Sequence, residues 1–111
     1  MIYELRQYVI KQGRMAECHD LFRDVLIPLF HEVGIRTVAF WEPIEPDGRT
    51  FIYLLAFDSA ESREEIWPKF LAHEQWLAVK AGWSDGAPYE TTKATVLAPT
   101  DYSALPAGDL R

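Results

Sequence analysis

Residues 50–57, Thr-Phe-Ile-Tyr-Leu-Leu-Ala-Phe, place Phe51, Tyr53, Leu55 and Phe57 on one side of an extended chain and Ile52, Leu54 and Ala56 on the other. Side chains alternate along a strand, so both sides of this one are apolar and both need cover. Such a strand belongs in the interior of a sheet that is packed on its two faces. In a chain of 111 residues the demand is severe, because this length supports one core and little more.

The flanking segments supply a sheet and two helices. Residues 2–10 form a predicted first strand, with Tyr3, Leu5 and Val9 on one side and the polar line Glu4, Arg6 and Tyr8 on the other. From Arg14 the period becomes helical, with Met15, Cys18, Phe22, Val25, Leu29 and Val33 three or four apart and Leu21, Leu26 and Phe30 widening the stripe. Gly34 is placed to cap this helix, and Pro28 inside it predicts a kink. Residues 35–42 predict strand two, ended by Pro43. Pro46-Asp47-Gly48 predicts a turn into strand three, residues 50–57. Asp58 and Glu61 have capping-box spacing, which predicts a second helix over residues 60–81, broken near His73-Glu74. Residues 89–97 predict strand four.

The order βαββαβ implies an α+β, ferredoxin-like domain over residues 1–99, with a four-stranded antiparallel sheet and a tail over 100–111. Right-handed crossovers put both helices on one face of the sheet. The other face is left to be covered by a second copy, so a homodimer is expected.

The formal charge of −6, from 17 acidic and 11 basic residues, with no basic cluster, argues against nucleic acid. No apolar run approaches the roughly 18 residues of a membrane span. Cys18 is the single cysteine, and the first residues read as a strand rather than a secretion signal. A cytoplasmic protein, with no membrane partner, is the expectation.

Tyr3-Glu4-Leu5-Arg6-Gln7-Tyr8, Leu29-Phe30-His31-Glu32-Val33-Gly34-Ile35, Val38-Ala39-Phe40-Trp41 and Tyr53-Leu54-Leu55-Ala56-Phe57-Asp58-Ser59 occur in an order that resembles the NIPSNAP family. Glu74-Gln75-Trp76 and Leu97-Ala98-Pro99-Thr100-Asp101-Tyr102-Ser103 are similar to its later segments. The resemblance implies a dimeric α/β-barrel, a fold shared by cofactor-free monooxygenases, lactone isomerases, haem-degrading enzymes and sugar mutarotases. Bacterial members of the family largely lack an assigned reaction.

Two functions of different class fit these residues: a pocket in each protomer that binds or converts a small hydrophobic molecule, and a non-catalytic protein-interaction module. For the first, Glu4 and Arg6 on strand one, with Trp41 and Trp76 at element ends, are the candidate ligand contacts. Tyr8 as a proton donor and His73 at the helix break are the candidate catalytic groups. The polar line of strand one either faces a partner sheet as a register device or faces the helices as a pocket wall. His19, His31 and His73 have no metal-ligand spacing, so no metal is expected. No cofactor motif is present, and His73 is the residue that would serve a haem. Cys18, in mid-helix, reads as core.

Overall fold

The computed structural model describes residues 1–105. Strand β3 (Thr50–Phe57) lies inside a four-stranded sheet of order β2-β3-β1-β4, flanked by β2 (Arg36–Trp41) and β1 (Ile2–Ile10). The fourth strand, β4 (Tyr89–Leu97), pairs with the far side of β1, and all three pairings are antiparallel. This is the α+β, ferredoxin-like arrangement that the element order implied.

The register assigns the faces. Arg6 stands opposite Tyr53, Tyr8 opposite Phe51 and Glu4 opposite Leu55. Tyr8, Ile10, Phe51, Tyr53, Leu55 and Phe57 are buried in one cluster with Phe22, Leu29, Phe30 and Phe70 from the helices. The polar line of β1 therefore faces the helices, and Tyr3, Leu5 and Val9 face away from them.

The first helical region is one continuous path with a wide turn inside it. Helix α1 (Met15–Leu21) runs into a π turn (Phe22–Leu26), where Ile27 N–H reaches back five residues to Phe22 O, and then into α2 (Ile27–Val33). Pro28 has no N–H and cannot join an ordinary helical ladder. The π turn lies directly before it and puts Pro28 in the first turn of α2. Gly34, at φ +98°, ends α2, with Ile35 N–H donating to Phe30 O; a side chain there would strain the left-handed backbone.

The second helical region breaks where the polar residues suggested: α3 (Ala60–Leu71) and α4 (Glu74–Ala81) meet at Ala72-His73. Its start differs from the expected capping box. Ser59 is the N-cap, its Oγ accepting the Ser62 N–H at 3.0 Å. Asp58, one residue too early to reach that amide, pairs with Arg36 at 2.9 Å. In the β2–β3 turn the Asp47 carboxylate accepts the N–H groups of Arg49 and Thr50 and the Thr50 hydroxyl. These bonds hold its pKa down to about 2.

A β-bulge in β2 leaves Val38 without a partner, between Thr37 opposite Leu55 and Ala39 opposite Leu54. An extra residue in a strand exchanges the faces of everything after it. Phe40 consequently joins Tyr53 under the helices, and Trp41, opposite Ile52, points to the outer face.

Among the described residues that outer face carries no helix. Tyr3, Leu54 and Ala56 are buried there with Met1, Leu5, Val38 and Leu105 packed against them. The segment after β4 thus returns across one end of the face, reducing the bare area that the sequence led us to expect. Val9, Trp41 and Leu97 stay open. Of the tail expected over 100–111, residues 106–111 lie outside the described residues.

Candidate functional site

Strand β1 places Glu4, Arg6 and Tyr8 in a row beneath the helices, and helix α3 lowers Arg63 onto the same row. The Glu4 carboxylate is fully buried and held by two guanidiniums: Arg6 Nη1 at 2.6 Å and Arg63 Nε at 2.5 Å. A buried carboxylate without such partners would be costly. Arg6 continues the row, with Nη2 donating to Tyr8 Oη at 3.3 Å, and Tyr8 Oη lies 2.9 Å from Tyr53 Oη. The Arg6 guanidinium also sits 5.0 Å from the centre of the Trp67 ring, in cation–π geometry. Its Nε is shielded from solvent and has no acceptor among the described residues.

A cleft of about 130 Å³ opens beside this row. Arg6, Tyr8 and Tyr53 form its sheet side, and Tyr89 at the start of β4 closes one end. The π turn contributes Leu26 and α2 contributes Phe30. Trp67, Phe70 and Leu71 of α3 and Trp76 of α4 form the helical wall. Phe70 and Trp76 are stacked, with centroids 5.2 Å apart and planes 28° apart, which holds the wall across the helix break.

Burial works against the Arg6 charge, but Tyr53, Tyr8 and the Glu4 hydrogen bond outweigh it and raise the guanidinium above its ordinary value. Burial pushes the Tyr53 phenol well up, with Tyr8 adding to the effect, and burial also raises Tyr89. The cleft wall therefore sets a fixed cation beside the raised phenols of Tyr53 and Tyr89. Among the described residues no carboxylate, imidazole or thiol lines it. Such a wall can bind and polarise an acceptor oxygen, and it offers neither a nucleophile nor an ionised base.

Of the residues singled out from sequence, Arg6, Tyr8 and Trp76 line the cleft, and Glu4 stands behind Arg6 as its counter-charge. Trp41 is not brought there: the β2 bulge turns it onto the outer face, where it is 47% exposed. His73 is not brought there either. It caps α4, its Nδ1 accepting the Gln75 N–H, while Nε2 is engaged by Glu32. With both ring nitrogens occupied, His73 presents no free lone pair to a haem iron. Cys18 is core, as its helical position suggested, and burial pushes its thiol up to about 12. Sequence reasoning missed Arg63, Trp67, Tyr53 and Tyr89. Arg63 and Trp67 are four apart on one helix and so share a face, a signal that was available. Tyr53 needed the β1–β3 register, which no local pattern supplies.

The family model described as NIPSNAP matches residues 3–104. Among solved structures, a NIPSNAP family protein of Agrobacterium tumefaciens is 27% identical, with 95% of this chain and 98% of that chain covered and a TM-score of 0.80. An uncharacterised NIPSNAP domain protein of Burkholderia xenovorans is 21% identical over 93% of this chain and 98% of its own, at a TM-score of 0.78. An antibiotic biosynthesis monooxygenase is 11% identical, covering 90% and 99%, at a TM-score of 0.64, a likeness of fold alone. Among functionally curated proteins, none matches this chain.

Proposed function

The chain belongs to the NIPSNAP family, and we propose that it binds a small, largely apolar molecule in the cleft between sheet and helices, with Arg6 as the polar contact. The observation that carries this reading is the placing of Arg6. A permanently charged side chain is turned under the helices, 14% exposed, into an aromatic-walled cleft rather than out to water. Aromatic walls with a few convergent polar groups are the usual make-up of a small-molecule site. A positioned cation and phenol hydroxyls suit binding and polarisation of a ligand oxygen, with Tyr8 as the donor nearest Arg6. A pH-driven proton abstraction by the wall does not suit them.

The test is a thermal-shift screen of one-ring acids, alcohols and amides, repeated with Arg6→Gln and Trp76→Ala. Saturable stabilisation of the native chain that both substitutions remove is the expected result. Stabilisation unchanged by both, or none from any compound, would sink the reading.

We further propose that a second copy covers the exposed part of the outer sheet face. Val9, Trp41 and Leu97 are open there beside the apolar cluster of Tyr3, Leu5, Leu54 and Ala56, and a two-fold axis through it makes the contact self-complementary. Light scattering at micromolar concentration should give twice the single-chain mass of 12.8 kDa; the single-chain value itself would overturn this. No described helix is long and apolar enough to cross a membrane, and the protonated, buried Cys18 thiol suits a reducing cytoplasm.

A further inference from the structure

We infer, resting on the cleft reading above, that the ligand is a planar monocarboxylate with a body of about one ring, and that Arg63 helps to select it without touching it.

The cluster holds one buried carboxylate, Glu4, and two partly buried guanidiniums, Arg6 and Arg63. Tyr8 and Tyr53 complete the row as hydroxyls, and Tyr53 is held in its neutral form by burial. The row therefore carries one positive charge in excess, in a chain whose net charge is −6. Excess charge under a helical layer is unfavourable until an opposite charge joins it. Glu4 is shared between two cations and cannot neutralise both. One anionic group beside Arg6 balances the row, a dianion over-corrects it, and an ammonium worsens it.

Geometry narrows the anion. The guanidinium is a planar fork matched to the two oxygens of a carboxylate. Glu4 occupies Nη1 and Tyr8 occupies Nη2, so each terminal nitrogen keeps a second N–H for a ligand oxygen. Size narrows the body. The cleft holds about 130 Å³, close to the roughly 150 Å³ of an apolar cavity that takes benzene. Trp67, Phe70 and Trp76 line the cleft with aromatic surface against which a ring can pack.

Three probes of one shape decide the matter: benzoate, benzamide and benzylamine, titrated against the wild-type chain near neutral pH and followed by tryptophan fluorescence and calorimetry. Benzoate should bind about tenfold or more tighter than benzamide, with benzylamine weakest. Arg63→Gln, which leaves the cleft lining intact, should weaken benzoate about tenfold and leave benzamide unchanged. Arg6→Lys, which keeps the charge and loses the fork, should weaken benzoate too. If benzamide or benzylamine binds as tightly as benzoate, the monocarboxylate inference falls and the cleft reading stands. If none of the three binds saturably, both fall. Benzoate affinity unchanged in a folded Arg63→Gln chain would overturn the role given to Arg63. The wild-type series needs no variant to fold, so the ligand class is decided in either case.

Discussion

The two faces of the sheet are built from the same strands and obey opposite rules. On the helical face, β1 sends Glu4, Arg6 and Tyr8 inward among Phe22, Phe30 and Trp67. On the outer face the same strand shows Tyr3, Leu5, Gln7 and Val9, and among the described residues the segment near Leu105 shelters one end. Half-covered antiparallel sheets ordinarily carry apolar residues inside and polar ones out. Here the middle of β1 is reversed, with Glu4 and Arg6 inside and Leu5 outside. Polar groups held inside against that tendency need a use, and apolar groups held outside need a cover, which is why one face holds the cleft and the other is where a partner is expected.

The comparison breaks most sharply at Glu4. Glu4→Ala leaves Arg6 and Arg63 facing each other without their carboxylate, and should cost about 3–5 kcal/mol in urea unfolding. A loss below about 1 kcal/mol would mean that the inner polar row is solvated and not truly interior. Next come two leucines on opposite faces. Leu55→Ala, under the helices with no exposure, should cost about 2–5 kcal/mol whatever the protein concentration. Leu5→Ala should cost less in dilute solution and more as concentration rises, if the outer face is closed by a second copy. A Leu5 effect independent of concentration would leave that face to the tail alone.

Titration separates the faces more gently. The Tyr53 phenol is raised above its ordinary value of 10.0, chiefly by burial. A raised folded pKa contributes stability that is complete below the unfolded value and is lost as pH rises through the folded one. Urea midpoints should therefore fall above about pH 10, and Tyr53→Phe should flatten that part of the profile. The smallest effect belongs to the β2–β3 turn, on neither face. Asp47 is depressed from 3.8 to about 2, so its contribution is present above about pH 4 and disappears as pH falls toward 2. Asp47→Asn should remove only that acid-limb slope.

Much of this was legible in the residues. Strand β3 announced its double burial, Gly34 its cap and the His73 region its break, because each follows from short-range periodicity or backbone chemistry. The site was only half legible. Arg6, Tyr8 and Trp76 could be singled out as unusual, but the side of the sheet on which they stand depends on the β1–β3 register, a relation between residues some fifty apart. Trp41 shows the same limit: one extra residue at Val38 reverses its face, and a bulge leaves no mark in a run of Val-Ala-Phe-Trp. His73 was chosen because helix breaks expose side chains, and this break exposes it to Glu32 instead.

The reversed strand has one more consequence, for how the chain arrives at its fold. A one-residue slip of β1 against β3 and β4 would exchange its faces. Leu5, Gln7 and Val9 would then go beneath the helices, and Arg6 would reach water together with Tyr8 and Ile10. That competitor cannot close the Arg6–Glu4–Arg63 contact, because Glu4 would lie on the wrong side of the sheet from α3. The carboxylate that steadies the cleft's arginine is thus also a proofreading contact, satisfied in the native pairing and not in the one-residue slip. A Glu4→Gln chain that still folds should refold with an added slow phase as misaligned strands separate and try again.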